Sequence, residues 1–342
     1  MKRGICYPGY ATLLLLFTLF AVSLATAAEF PRMTIKIGHV NSTDISYHKG
    51  LEKFAEIVKE RSGGAVTVQI FPNGQLGNEK DLVEQVKNSV IQMSIPGAGM
   101  LALFPGWEPL GVFGMPYVLK GETEAEQHKV LKQLTQGSIM KEVAEKAIGV
   151  SGMRALDMSW WYGVRHLTTK SKQVTKVADL QGLKIRTPDN PVNKLAMTAL
   201  SAAVTPMAVG ELYTALQLGV VEGQENPFNT IYVQKFYEVQ KYLTLTGHMT
   251  QHQVLIINER FYQGLPAELK SLLETAAIEA GDFQTDLQLK ANNQGLQDLR
   301  SKGMIVTTIN RAEFAEKTKD AWKQFENQFG KGLYEKIVAA QQ

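Results

Sequence analysis

The chain has 342 residues, 44% hydrophobic and 20% charged, with 36 basic residues against 33 acidic and one cysteine. A formal charge of +3 without a basic cluster leaves no footprint for nucleic acid or an acidic membrane surface. Cys6 lies ahead of the longest apolar run, so the sequence beyond that run offers no disulfide, thiolate nucleophile or cysteine-based metal site.

Lys2 and Arg3 precede the apolar run Ala11 to Leu24, and the small residues Ala25-Thr26-Ala27-Ala28 follow it. This pattern predicts a secretory signal peptide over residues 1–28, cleaved near Ala28. The run is short for a membrane span, and an uncleaved anchor is the alternative. Cys6 precedes the run, so it is not the lipidated cysteine of a lipoprotein. Cleavage leaves about 314 residues with 34 basic against 33 acidic, a net charge of +1. An exported, globular product is expected.

Beyond residue 28 the pattern alternates between strand and helix. Ile35 and Ile37 alternate as in a strand, and Leu51, Phe54, Ala55 and Val58 recur at helical spacing up to Gly63-Gly64. Val66, Val68 and Ile70 predict a second strand, ended by the turn Pro72-Asn73-Gly74. A helix from Glu79 carries Leu82, Val83 and Val86, and Val90 to Ile95 reads as a buried strand. This order predicts an α/β fold with a mostly parallel sheet, whose ligands bind beyond the carboxyl ends of the strands.

Further on, Leu183 to Ile185 reads as a strand with Arg186 at its end. Asn190 is placed to cap a helix that Pro191 opens. An arginine at a strand end beside a helix N-terminus suits an anion, because a planar guanidinium fork meets unpaired N–H donors there. An ordinary surface arginine is the alternative. Leu212, Ala215 and Leu216 predict another helix, closed by Gly219. From Pro266 an apolar series runs to Leu299, a helix reaching roughly 50 Å and long enough to bridge two lobes. Phe314, Thr318, Ala321 and Phe325 predict a C-terminal amphipathic helix.

Catalytic motifs are missing. The sequence has no phosphate-binding G-x-x-x-x-G-K-[ST], no H-E-x-x-H and no G-x-S-x-G elbow. Gly97-Ala98-Gly99 reads as a tight turn, and His248 and His252 precede the strand-like VLIIN rather than sharing a helix face. No enzymatic activity, metal or cofactor is expected. In Ser159-Trp160-Trp161-Tyr162-Gly163-Val164-Arg165, neighbouring aromatics of a strand point to opposite faces, so one or two at most share a cavity with Arg165. Core packing is the other reading of each.

The segments YGVRHLTT, ADLQGLKIRTP, PMAVGELYTALQLGVVEGQENP and KFYEVQKYLTLTGH, with FPNGQLGNEKDLVEQVKNS earlier, carry a resemblance in order and spacing. The sequence resembles the solute-binding subunits of tripartite ATP-independent periplasmic (TRAP) transporters, the DctP-like family. The resemblance implies a two-lobed, periplasmic-binding-protein-like α/β fold with one long helix crossing both lobes. The expected lobes are residues 29–162 plus 252–291 and residues 163–251 plus 292–342. It also implies a periplasmic monomer that closes on a small organic acid and delivers it to a membrane permease.

Carried over by position, Arg186 matches the arginine that pairs with the ligand carboxylate, and Asn226, forty residues on, matches the asparagine that bonds the same group. Arg165 matches a second arginine, and Glu79 sits where acidic members contact ligand hydroxyls from the opposite lobe. Trp160, Trp161, Asp189 and His39 complete the expected ligand-binding set, with Tyr47 and His48 as supplements. Val209 stands where phenylalanine is frequent, and Gly97 where sialic-acid binders carry a glutamate, which weighs against sialic acid. Arg165, Glu79, Gln224 and Asp189 suit a hydroxylated sugar acid, a uronate or aldonate. A C4-dicarboxylate or keto acid is the next choice, and a binding protein that serves only a sensor shares every one of these residues.

Overall fold

A computed structural model describes residues 1, 2, 4 and 30–341. The apolar run and cleavage site predicted within residues 1–28 lie outside the described residues, as does Cys6. Nine strands are described: β1 Met33–Gly38, β2 Val66–Phe71, β3 Met93–Ser94, β4 Met153–Thr169, β5 Lys184–Thr187, β6 Ala203–Pro206, β7 Gly223–Asn226, β8 Tyr242–Asn258 and β9 Ile305–Thr307. They form one sheet in the order β2-β1-β3-β8-β4-β7-β5-β6, with β9 against β8.

The expected parallel pairing holds for five of the eight strand pairs described, and the other three are antiparallel. Parallel pairing joins β1 to β2 and β3 at one end and β5 to β6 and β7 at the other. Between them β4 and β8, 17 residues each, run antiparallel from Met153 opposite Asn258 to Thr169 opposite Tyr242. At about 3.3 Å per residue each spans roughly 55 Å, so both lobes share these two strands. Register shifts interrupt the pair four times, one of them between Trp161 and Gly163. Gly163 has φ 125°, a conformation that only glycine adopts readily.

Helices pack on the sheet around separate cores. Ile35, Phe54, Trp160 and Leu273 belong to one, and Leu82, Phe113, Trp161 and Phe329 to another. Leu216, Phe236 and Leu299 pack together in the second lobe, as do Leu167, Ile185 and Phe314. The helix predicted after Pro266 is continuous over Ala267–Ser301 and touches both lobes. Its Gln284 and Gln288 donate to the carbonyls of Trp161 and Tyr162, both at 2.8 Å. Helix Ser46–Arg61 approaches it so closely that a Cβ at Gly50 would lie 2.6 Å from Gln284 Cβ and 2.7 Å from the Trp160 ring. Gly50→Val is therefore expected to cost about 1–3 kcal/mol, read as a lower urea midpoint at unchanged slope.

Two local predictions change. Of Val90 to Ile95 only Met93–Ser94 pairs, because Ser89 (φ 62°) and exposed Val90 spend the start of the run on a turn. The single C-terminal helix is broken into Arg311–Thr318, a tight turn over Ala321–Phe325 and Glu326–Phe329. The break lets Phe329 pack against Gly111 and Trp322 stack on Tyr334 at 4.4 Å. By contrast Asn190 caps helix Pro191–Ala199, Asn78 caps Glu79–Lys87 and Gly219 (φ 73°) closes Val209–Leu218.

Candidate ligand-binding site

A cavity of about 580 Å³ lies where the carboxyl ends of the parallel strands of both lobes converge. His39 follows β1, Asn73 and Gly74 follow β2, and Ser94 and Ile95 close β3. From the second lobe come Arg186 and Asp189 at the end of β5, Met207 after β6 and Asn226 at the end of β7. Tyr162 and Arg165 of β4 and Gln251 and Gln253 of β8 form the remaining wall.

Arg186 is 3% exposed. Its Nε and Nη2 both donate to the Met207 carbonyl, at 3.0 and 2.7 Å, which pins the guanidinium and leaves Nη1 uncommitted. Among the described residues it has no ion-pair partner. Burial and then the neighbouring Arg165 pull its pKa down to about 10, so it is still a cation at neutral pH. The helix that supplies free N–H groups differs from the one expected. Asn190 seals the Pro191 helix by accepting from Asn193 N at 2.9 Å, whereas no side chain caps Val209–Leu218, whose first turn (Val209, Gly210, Glu211) lines the cavity. That turn follows Met207, and its dipole adds to the positive potential beside Arg186.

Arg165 is 1% exposed and paired. Its Nε bonds Glu225 Oε2, its Nη2 reaches Glu225 Oε1 at 2.9 Å, and its Nη1 donates to Gln251 Oε1 at 2.6 Å. Burial alone raises the Glu225 carboxyl, yet Arg165 and His248 hold it at about 2. The pair is a buried ion pair of no net charge.

Asn226 accepts from the Tyr162 hydroxyl at 3.3 Å and donates to Gln224 Oε1 at 2.5 Å, and Gln224 in turn donates to Thr168 at 2.9 Å. This chain fixes the amide and leaves one of its N–H groups over. On the opposite wall Glu79 Oε1 accepts from Gly97 N at 2.7 Å. Burial pushes its pKa up, against the pull of that N–H and of both arginines. His39 Nε2 lies 2.8 Å from His48 Nδ1, while His39 Nδ1 is buried without a partner. Burial and then His48 hold His39 at about 3, so it is neutral. Asp189 sits at the rim, bound to Lys194 at 2.7 Å.

The cavity thus gathers Arg186, Asn226, Arg165, Glu79, His39 and Asp189, but not Trp160 or Trp161. Both tryptophans are fully buried in the cores, with Trp160 Nε1 on the Ala277 carbonyl (3.2 Å) and Trp161 Nε1 on Glu124 (2.8 Å). Alternation puts Trp161 in one core and Trp160 with Tyr162 in the other, and of the three only Tyr162, furthest along β4, reaches the cavity; the bulge at Gly163 then lets Arg165, three positions on, line it as well. Trp160→Ala should cost about 3–5 kcal/mol of unfolding free energy. It should leave the affinity of folded protein unchanged, and lost binding by a fully folded variant would restore the tryptophan to the site.

Sequence reasoning missed Gln251 and Gln253. The signal was the two-residue spacing in Gln251-His252-Gln253, which puts both glutamines on one strand face. His252 points away, edge-on to Phe113 at 5.4 Å, and His248 faces Glu225 at 3.4 Å. Gly97 is packed beneath Gln251, whose Nε2 a Cβ would meet at 2.6 Å.

Such a sheet, split between two lobes around a polar cavity, defines a two-lobed solute-binding protein. Residues 37–328 match the bacterial extracellular solute-binding protein family 7, DctP, and the chain belongs to that family of TRAP solute-binding proteins. It is 34% identical over 322 residues to a solute-binding protein of Verminephrobacter eiseniae, covering 93% of this chain and 91% of that one. It is 31% identical over 309 residues to the C4-dicarboxylate-binding periplasmic protein DctP of Rhodobacter capsulatus, covering 90% and 88%. It is also similar to the crystal structure of the sugar acid binding protein DctPAm from Advenella mimigardefordensis in complex with galactonate, with a TM-score of 0.84 at 28% identity over 91% of this chain and 98% of that one.

Proposed function

We propose that this protein is the periplasmic, non-enzymatic, monomeric solute-binding subunit of a TRAP transporter, exported by a cleaved signal peptide. It captures a small organic acid through its carboxylate and passes it to the membrane permease subunits. A sugar acid, an aldonate or uronate, is the favoured ligand. The observation that carries this reading is the buried guanidinium of Arg186, which has no ion-pair partner among the described residues and faces a cavity lined with hydrogen-bonding groups. An unpaired buried charge is costly, and a ligand carboxylate compensates it.

In this reading Arg186 forms the ion pair and Asn226 donates its spare N–H to the same carboxylate. Arg165 steadies the wall beside them, and Glu79 and His39 meet hydroxyl groups, with Asp189 at the entrance. The lobes divide as residues 29–162 plus 252–291 and residues 163–251 plus 292–342, and they close about β4 and β8. The bulge at Gly163, opposite Gln251, supports a hinge there. Closure is a population shift driven by contacts that exist only in the closed state. The galactonate complex of a relative favours a sugar acid, while the C4-dicarboxylate-binding relative keeps that class as the second reading. A thermal-shift screen of organic acids tests the proposal. A sugar acid at a hundredfold excess over Kd stabilises by about 2.7 kcal/mol and raises Tm by several degrees. No shift with any acid, or turnover of one, overturns it.

A further inference from the structure

Cations and acceptors are divided unevenly between the walls of the cavity. Among the buried groups described, the guanidinium side holds one positive charge without an ion-pair partner, Arg186, because Glu225 neutralises Arg165, whose Nη1 also donates to Gln251; Asp189 pairs with Lys194, and Glu211 is exposed at the rim. The facing side presents the carboxylate of Glu79 among neutral groups such as Asn73, Asn78 and His39. Glu79 has one carboxylate oxygen on Gly97 N and the other to spare. His39 lines the same side, with its Nε2 2.8 Å from His48 Nδ1 and its Nδ1 buried without a partner among the described residues. Lys80, another cation on the lining, is exposed at the mouth.

Building on the proposed sugar-acid reading, we infer that the site is selective for monocarboxylates, with Glu79 acting as the element that rejects a second carboxylate. A hydroxyl at the far end of the ligand donates to the spare oxygen of Glu79. A carboxylate in its place carries no proton to offer and sets two like charges together. Specificity of this kind comes from a repulsive group as much as from an attractive one. Sites built to bond a hydroxyl discriminate strongly against analogues that cannot supply the hydrogen.

Calorimetric titrations with paired acids that differ only at the terminal carbon test the inference: gluconate with glucarate, galactonate with galactarate, and glycerate with tartronate. The tightest binder is expected to be a monocarboxylate, with its paired diacid at least 100-fold weaker. Glu79→Gln, which removes the charge and adds a donor, narrows that ratio at least tenfold while circular dichroism stays native. A diacid as the tightest binder, or a pair bound within threefold of each other, overturns the selectivity and leaves organic-acid binding standing. An unchanged ratio in folded Glu79→Gln removes Glu79 as its source, which also overturns the inference. Binding of no acid at all overturns the proposed function, and the selectivity falls with it. The wild-type ratio alone decides the matter if the variant fails to fold.

Discussion

Arg186→Ala is expected to abolish tight acid binding and yet to melt, without ligand, no lower than the parent protein. The two halves of this result have one cause. Arg186 is buried, its only hydrogen-bond partner among the described residues is the Met207 carbonyl, and burial has already pulled its pKa down to about 10. The ligand-free fold therefore bears the cost of a desolvated charge, and alanine removes that cost. With acid bound, the same truncation leaves a buried carboxylate unpaired, a loss on the order of 3 kcal/mol or more and at least 100-fold in Kd. Arg186→Lys restores a charge without the planar fork, so it recovers only part of the affinity. Calorimetry gives the affinity and differential scanning calorimetry the melting point. Full affinity in folded Arg186→Ala would remove this residue from the site.

The neighbouring arginine should behave in the opposite way. Glu225→Ala strands the buried Arg165, a change expected to cost about 3–5 kcal/mol of stability. Acid sensitivity identifies the same pair. The Glu225 carboxyl, ordinarily near 4.5, is held at about 2 in the folded protein, so the fold binds its proton less readily than the unfolded chain does. Its contribution is complete above about pH 4.5 and fades as the pH falls toward 2, by about 3 kcal/mol in all. Urea midpoints measured from pH 5 to pH 2 should decline less steeply for Glu225→Gln than for the parent. Equal slopes would show that the pair does not govern acid unfolding.

How legible each part was follows from how local its cause is. Asn190 and Pro191 specify a helix start within a few residues, and Gly219 specifies a stop, so those boundaries could be read directly. Arg186 could be placed from its position at the end of a short strand, whereas Asn226 came only from the family resemblance. The pairing of β4 with β8 joins residues 73 to 105 positions apart, and no periodicity within either strand encodes its partner. Trp160 and Tyr162 share one core and only Tyr162 also borders the cavity, a difference in position along β4 that alternation cannot reveal. The anion-facing helix was misassigned because Asn190 announces its helix by capping it, while Ala208, which leaves its helix open, announces nothing.

The central claim is that a carboxylate supplies the counter-ion missing from Arg186. Titration with an aldonate and with the corresponding alditol, identical but for the carboxylate reduced to an alcohol, tests it most directly. The account predicts measurable binding of the aldonate and affinity at least 100-fold weaker for the alditol. An alditol bound within tenfold of the aldonate would contradict it.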